Sequence, residues 1–125
     1  MVNLARMRRG EEKPRTLDQP IVEMERYIER NFRNPAVSLE TAADEQHRSA
    51  AYLGRLFKVQ TGRSFSEALS QYRLGQAERL LIESELSIQE ICGQVGLVNV
   101  SYFYTLFKKR YGCTPQNYRR RAPHG

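Results

Sequence analysis

Residues 52–58 are Tyr-Leu-Gly-Arg-Leu-Phe-Lys, and residues 102–108 are Tyr-Phe-Tyr-Thr-Leu-Phe-Lys. The two stretches share Tyr, Leu, Phe and Lys at matching places 50 residues apart, and each is followed at the same distance by a glycine, Gly62 or Gly112. Their apolar residues recur at spacings of three and four, which predicts a helix with one buried face. Similar apolar faces occur in many helical bundles, but the constant register and the matched glycines favour a duplicated helix.

A short helix and a tight turn are predicted in front of each copy. Ser38 can cap a helix over about 39–45, and Ser49 can cap the first copy, which runs to about residue 60. In the second half, Ser87-Ile88-Gln89-Glu90 has the spacing of a capping box, and Asn99 can cap the second copy through residue 111. A short helix, a turn and a longer helix form the helix-turn-helix motif, whose second helix enters the major groove of DNA.

Three further helices complete the prediction. The first begins at Pro20, carries one apolar stripe and ends before Asn34-Pro35. The longest covers about 65–83 and opens with the capping box Ser64-Phe65-Ser66-Glu67. A last short helix follows Thr114-Pro115. The apolar stripe predicted for the longest helix comprises Phe65, Leu69, Tyr72, Ala77, Leu80 and Leu81.

No segment alternates as a strand would, so we predict an all-α, homeodomain-like fold of seven helices. In this prediction, two helix-turn-helix subdomains, at about 38–60 and 87–111, are joined by the long central helix. Together they form a DNA-binding domain over residues 19–121. Residues 1–18 are predicted to be a disordered basic arm or linker, and 122–125 a tail.

The charge distribution favours a polyanionic partner. The chain of 125 residues carries a net charge of +6, and its last acidic residue is Glu90. A C-terminal third of one sign points to nucleic acid, with a solvated basic surface as the alternative. The two cysteines lack metal-ligand spacing, and no apolar run is long enough to span a membrane. Without a phosphate loop, a nucleophile motif or a metal cluster, we predict no enzyme activity, no cofactor and no metal.

The central helix has a length suited to adjacent turns of one duplex. Its roughly 19 residues span about 28 Å at ~1.5 Å per residue, whereas successive major-groove faces of B-DNA lie ~34 Å apart. Two recognition helices held at this separation can enter neighbouring grooves on one side of the DNA. The shortfall predicts tilted helices or a modest DNA bend.

These residues resemble the AraC/XylS family of bacterial transcription regulators over about 21–121. The strongest part of the resemblance lies in the second half, in 86–91 (Leu-Ser-Ile-Gln-Glu-Ile), Gly96, 99–103 (Asn-Val-Ser-Tyr-Phe), 107–109 (Phe-Lys-Lys), Tyr111-Gly112, Thr114-Pro115 and Tyr118-Arg119. The first half adds Tyr52-Leu53, 55–58 (Arg-Leu-Phe-Lys), Thr61-Gly62, Ser64-Phe65, 72–74 (Tyr-Arg-Leu) and Ala77.

The resemblance implies a cytoplasmic, nucleoid-associated regulator that binds a promoter element of double-stranded DNA. Such proteins are commonly activators that contact RNA polymerase, and most carry a separate sensor domain that responds to an effector. The chain is then a stand-alone member or the C-terminal part of a longer regulator, and the basic arm favours the latter. The chain departs from the family pattern at Ala42, Gln46 and Arg48, where larger apolar residues are usual, at Leu97 in place of Phe, and at Thr105 in place of Arg.

Arg55 is the leading candidate for a base contact, because it lies on the variable face and its guanidinium matches guanine O6 and N7. A phosphate contact is the alternative. Tyr104 is either a base contact or a cover for apolar surface, and Tyr52 and Tyr102 are expected to be partly buried. The predicted base contacts are Ala50, Ala51, Gly54, Arg55, Val100, Ser101, Tyr104 and Thr105. The predicted DNA-backbone contacts are Arg48, Ser49, Lys58, Arg63, Ser64, Asn99, Tyr102, Lys108, Lys109 and Arg119.

A second interpretation keeps the fold and changes the partner. The chain would then be a helical protein-interaction module with a basic surface, for example one that contacts RNA polymerase without selective DNA binding. Sequence-selective retention of DNA separates the two interpretations.

Overall fold

The computed structural model describes residues 16–122, which form seven helices and no strand, as predicted. The predicted basic arm therefore lies outside the described residues up to position 15, as does the tail from position 123. The helices are α1 (Gln19–Asn31), α2 (Leu39–Glu45), α3 (Ala50–Thr61), α4 (Phe65–Glu83), α5 (Ile88–Gln94), α6 (Val100–Tyr111) and α7 (Pro115–Arg121).

Six of the helices begin at a side-chain cap. In each, the cap oxygen accepts a hydrogen bond from the backbone N–H three residues later, which satisfies a donor that has no partner inside the helix. At α4 the Ser64 hydroxyl accepts from the Glu67 amide at 3.1 Å, and the Glu67 carboxylate accepts from the Ser64 amide at 2.8 Å. The six caps are Ser38, Ser49, Ser64, Ser87, Asn99 and Thr114.

The two copies of the repeated helix end alike. Gly62 and Gly112 adopt φ values of 82° and 80°, and each donates its N–H to a lysine carbonyl four residues earlier. This left-handed conformation is strained for a residue with a Cβ, which explains the matched glycines in the sequence.

The shared apolar residues anchor both copies in the core. Leu53 and Phe57 in α3, and Phe103 and Phe107 in α6, are fully buried. The aromatic rings of Phe57 and Phe65 meet edge to face, with centroids 5.8 Å apart. Tyr52 and Tyr102, which were expected to be partly buried, keep about half of their surface exposed, at 46% and 51%.

Helix α4 is the centre of the molecule and packs against both halves. It contacts α1 and α3, which precede it in the sequence, and α5 and α7, which follow it. Burial therefore extends beyond one stripe. Tyr72 and Leu80, predicted as core, are only half-buried, whereas Ala68, Arg73 and Leu74 are buried in addition to Phe65, Leu69, Ala77 and Leu81.

A polar cluster attaches α7 to α4. The carboxylate of Glu78 accepts hydrogen bonds from the hydroxyls of Tyr111, at 3.2 Å, and Tyr118. The bond to Glu78, with a smaller contribution from desolvation, raises the pKa of Tyr118 to about 12. The ring of Tyr118 also packs on Phe107, with centroids 5.5 Å apart. The second half is thereby closed by its own C-terminal helix.

Two further observations concern residues 16–122. None of their helices combines the length and the apolar character needed to cross a membrane. No group of three or more His, Cys, Asp or Glu side chains among them could hold a metal ion.

Cys92 is buried, as expected for a small core residue, and this burial raises the pKa of its thiol.

Candidate nucleic-acid interface

Helices α2–α3 and α5–α6 form two units of the same plan. Each unit has a helix of seven residues, a turn, and a helix of 12 residues. Both turns begin with the same hydrogen bond: Arg48 N–H donates to the Ala43 carbonyl at 3.1 Å, and Leu97 N–H to the Cys92 carbonyl at 3.0 Å. This six-to-one bond is the mark of a Schellman motif. The predicted duplication is therefore present as a structural repeat.

The turns differ in length and in the residue that takes the left-handed conformation. The first covers 46–49, and the second covers 95–99 and so has one residue more. His47 has φ 55° in the first, whereas Gly96 has φ 82° in the second. The His47 side chain is exposed.

The outer face of α3 presents Arg55 and Ala51, which are both exposed, while Ala50 is half-buried. Gly54 instead lies against α2, because a Cβ built there would come within 2.9 Å of Leu39 Cδ2. The absent side chain permits close packing of the two helices. Alanine at this position would push against the flexible end of the Leu39 side chain, which can shift at small cost, so it should keep part of the stability gain expected from helix propensity.

On α6, Ser101 and Thr105 are exposed and Val100 is half-buried. The Thr105 hydroxyl donates to the Ser101 carbonyl at 3.2 Å, an exposed bond that a competing acceptor can replace. Tyr104 is half-buried, and its hydroxyl accepts a hydrogen bond from the Gln116 amide of α7. The structure thus favours a packing role for Tyr104 over a base contact.

Four of the cations predicted to contact the DNA backbone are exposed: Arg48, Lys58, Lys108 and Lys109. The side-chain oxygens of Ser49, Ser64 and Asn99 are occupied as helix caps. Contacts at these three positions would therefore come from backbone amides or from the remaining lone pairs. Tyr102, with half of its surface exposed, is free to face a ligand.

Two predicted backbone contacts are engaged inside the fold. Arg119 donates from Nε to the Leu81 carbonyl at 3.0 Å and from Nη2 to the Ser84 carbonyl at 3.2 Å, so it closes the C-terminal end of α4. Arg63 donates to the Gln71 side chain in a cleft that is also lined by Glu25 and Glu29. Arg119 thus has a structural role at the end of α4, and its predicted phosphate contact stays a prediction.

The N-terminal half of α4 lies between the two recognition helices. One groove, of about 600 Å³, is lined by α3 residues that include Ala51 and Arg55 and by the start of α4. A second, of about 510 Å³, runs between α4 and the side of α6 that carries Tyr102 and Lys109. Ser66 borders both grooves. The candidate surface is therefore continuous from one helix-turn-helix unit across α4 to the other.

Sequence reasoning missed Arg73 and Glu78. Arg73 is 7% exposed, although it is a charged residue. Its signal was available, since it stands in a series with Leu69, Ala77 and Leu81 at steps of four on a buried face. Glu78 left no comparable signal, because its partners Tyr111 and Tyr118 are 33 and 40 residues away in the chain.

The comparisons agree with this geometry. The model of a helix-turn-helix domain family matches residues 42–121. The Bacillus subtilis protein described as the bifunctional transcriptional activator/DNA repair enzyme AdaA is 39% identical over 93 residues, which cover 74% of this chain and 44% of that protein. The C-terminal domain of AraT, a response regulator from Geobacillus stearothermophilus, superposes with a TM-score of 0.84 at 35% identity, covering 87% of this chain and 90% of that one.

A further match was solved with DNA. The DNA-binding domain of AdpA, described as a global transcriptional factor in complex with a target DNA, has a TM-score of 0.76 at 26% identity, covering 82% of this chain and 92% of that one. The chain spans less than half the length of AdaA and 28% of the length of a second relative from Bacillus subtilis, YesN.

Proposed function

Because the chain belongs to the AraC/XylS family of helix-turn-helix transcription regulators, we propose that it binds double-stranded DNA selectively through α3 and α6. The two helices enter adjacent major grooves of a promoter element, and α4 crosses the DNA backbone between them. Residues 19–121 act as one DNA-binding domain, with helix-turn-helix units at about 38–60 and 87–111 and a linker helix at about 65–83.

One observation carries this proposal: the two recognition helices have the same length and carry their caps and their buried residues at matching positions, but their outer faces differ. Leu53 and Phe103 are fully buried at equivalent places, whereas Arg55 and Thr105 are exposed at equivalent places. Selection for packing alone would not require the outer faces to diverge while the inner faces stay alike. The likeness to a domain solved with its target DNA supports the same interpretation.

Base recognition depends chiefly on Arg55 in the first unit. An exposed guanidinium near the middle of a recognition helix matches the two acceptors of guanine in the major groove. The exposed methyl group of Ala51 can contact thymine. In the second unit Ser101 and Thr105 supply short hydroxyls, so discrimination by α6 is weaker than by α3.

Backbone contacts give the complex affinity and orientation. Lys58 and Lys108 stand at equivalent places in the last turns of the two recognition helices, and Arg48 and Lys109 extend the positive surface. Contacts with phosphate position a protein on DNA without specifying sequence. The complex is accordingly sensitive to salt.

For a regulator that contains this domain, we also propose that it activates transcription through RNA polymerase. A sensor domain or an effector would control that activity. One curated relative is named as a transcriptional activator that is also a DNA repair enzyme. For this chain we propose the DNA-binding role alone and no catalysis.

The test is selection of DNA sites from random sequence, followed by titration at two salt concentrations. We expect one preferred site with two conserved segments about one helical turn apart. Arg55→Ala should weaken binding to that site by about 1–3 kcal/mol and relax preference at one base pair. Lys58→Ala, the matched control on the same helix, should weaken binding to all sequences alike. If the wild-type protein shows no preferred site, the protein-interaction interpretation replaces this one.

A further inference from the structure

Arg73 is a buried cation whose hydrogen bonds run to the end of another helix. It extends from the middle of α4, and its Nε donates to the Phe32 carbonyl at 2.9 Å. Its Nη2 donates to the Asn34 carbonyl at 2.9 Å. These carbonyls lie just past the last turn of α1, where the helix dipole places partial negative charge. The side chain therefore binds α4 to the C-terminal end of α1.

A third element meets the Phe32 carbonyl. Gly96, in the turn between α5 and α6, approaches so closely that a Cβ there would lie 2.3 Å from the Phe32 carbonyl oxygen. The same Cβ would lie 3.0 Å from Arg73 Nε and 3.2 Å from the Arg33 carbonyl oxygen. The second helix-turn-helix unit thus touches the first-half helix α1 at the point where Arg73 holds it. We call the contact among Phe32, Arg73 and Gly96 the junction.

The junction is stiff for physical reasons. A guanidinium is planar and presents its N–H groups in a fixed fork, so two bonds to two carbonyls fix both its position and its orientation. Burial lowers the pKa of Arg73 through desolvation, and a buried charge that lost its acceptors would be costly. Around the junction, the rings of Phe32 and Tyr72 pack edge to face with centroids 5.1 Å apart.

The junction lies close to α6 along the chain. Gly96 is followed by the buried Leu97, at 6% exposure, and then after one residue by Asn99, the cap of α6. A shift of Gly96 relative to α1 therefore moves the start of the second recognition helix. Arg119 offers a contrast, because its bonds to the Leu81 and Ser84 carbonyls join α7 to the end of α4 rather than to α1.

We propose that Arg73 is a positioning residue that sets the spacing between the two DNA segments this chain accepts. The inference rests on the proposed function, since spacing has meaning only for two recognition helices on one duplex. Arg73 itself contacts no DNA in this proposal. It acts by holding α1, α4 and the α5–α6 turn in one arrangement, so that α3 and α6 stay in register.

The first experiment measures spacing preference with the full chain. The preferred site is altered by inserting or deleting one or two base pairs between its two segments, and affinities are compared for wild type, Arg73→Met and Arg79→Met. Arg79 is the matched control, because it lies on the same helix with 64% of its side chain exposed. One inserted base pair should weaken the wild type and Arg79→Met about tenfold or more, and Arg73→Met less than about threefold.

The second experiment tests, in the absence of DNA, whether the junction holds the two halves in one arrangement. Spin labels are placed at Val59→Cys on α3 and Val98→Cys beside α6, since both side chains are exposed, at 79% and 64%, and Cys113 is replaced by serine. The distance distribution between the labels should be narrow in the wild-type background and in Arg79→Met, and broad in Arg73→Met. If Arg73→Met does not fold by circular dichroism, Arg73→Lys, which retains donors on a flexible stem, should still give a broader distribution than wild type.

An unchanged spacing penalty together with an unchanged distance distribution in the folded variant would overturn the proposal. A narrow distribution in the variant overturns it even where DNA binding cannot be measured. If the wild type binds no preferred DNA but the distribution broadens in Arg73→Met, the junction stands as a structural device while the proposed function fails.

Discussion

At the scale of single residues, each of the two turns contains one residue with a left-handed backbone conformation, and the two positions should respond differently to substitution. His47 adopts φ 55° with an exposed side chain, a conformation that costs a residue with a Cβ about 1–2 kcal/mol. His47→Gly should therefore raise the free energy of unfolding by about 0.5–1 kcal/mol, after the larger entropy loss of glycine is deducted. Urea denaturation followed by circular dichroism measures this directly. A loss of stability would mean that the imidazole makes a contact that outweighs the backbone strain.

Gly96 occupies the same position in the second turn, but its surroundings leave no room. A Cβ would lie 2.3 Å from the Phe32 carbonyl oxygen, and the backbone has φ 82°. Gly96→Ala should lower the free energy of unfolding by about 2–4 kcal/mol, because strain at φ and displacement of main-chain atoms combine. The same denaturation experiment checks it, with His47→Gly as the paired comparison. A loss below about 0.5 kcal/mol would show that the junction can open at small cost.

At the scale of helices, Glu90 makes the start of α5 sensitive to pH. A hydrogen bond from the Ser87 backbone lowers the pKa of the Glu90 carboxyl, and a hydrogen bond with the Ser87 side chain makes a smaller contribution in the same direction. A lowered pKa in the folded state stabilises the protein above the unfolded pKa, near 4.3, and this contribution disappears as the pH falls through the folded value. Glu90→Gln should therefore be less stable than wild type at neutral pH, and the two should converge in acid.

Thermal melts of both proteins between pH 3 and pH 7 test this expectation. Glu85→Gln is the control, since Glu85 is an exposed carboxylate in the loop just before the same helix. It should shift stability without reproducing the pH dependence. A constant difference between Glu90→Gln and wild type across the whole range would contradict the assignment to the carboxylate charge.

The helix boundaries were predictable because their signals are local. Caps such as Ser64 with Glu67 act within one turn, and Gly112 ends α6 through its own backbone conformation. The burial pattern of α4 was not, since Arg73 is buried by α1 and the α5–α6 turn, which lie far from it in sequence. The structural role of Arg119 was not predictable for the same reason, because its carbonyl acceptors are 35 and 38 residues away.

The same difference between local and distant signals decides which residues of the candidate site were predictable. The exposure of Arg55 follows from the 3.6-residue period once Leu53 and Phe57 are assigned to the core. Tyr52 lies beside this stripe, and periodicity alone does not decide whether a neighbouring helix covers it. The structure leaves it exposed. The packing of Tyr104 against Gln116 depends on α7, whose position no local pattern specifies.

At the scale of the whole molecule, the basic surface should make DNA binding depend steeply on salt. Lys108 is exposed in the last turn of α6, and loss of one phosphate contact lowers the slope of log K against log salt by about 0.9. Lys108→Ala should show this reduction on preferred and random DNA alike. Arg26→Ala is the control, since Arg26 lies on α1 in an exposed pair with Glu23 at 3.4 Å. An unchanged slope in Lys108→Ala would remove this residue from the interface.

The length of α4 predicts the shape of the bound DNA. With 19 residues, the helix spans about 28 Å at ~1.5 Å per residue, about 6 Å short of the ~34 Å between successive major-groove faces. Contacts of α4 with both halves, and the junction at Arg73, oppose lengthening of the protein. Tilt of α3 and α6 or a bend in the DNA must absorb the difference, and bending 20–30 base pairs costs on the order of 1–6 kcal/mol.

We therefore expect the DNA to bend toward the protein when both recognition helices engage. Cyclisation of short DNA circles that carry the preferred site should be faster with the protein bound, and phasing assays should give the direction of the bend. A site with only one of its two segments serves as the control, because a single recognition helix imposes no spacing on the duplex. The two-segment complex should bend more than this control. Straight DNA in that complex would mean that tilt of α3 and α6 absorbs the whole difference, and sequence changes between the segments should then leave affinity unaltered.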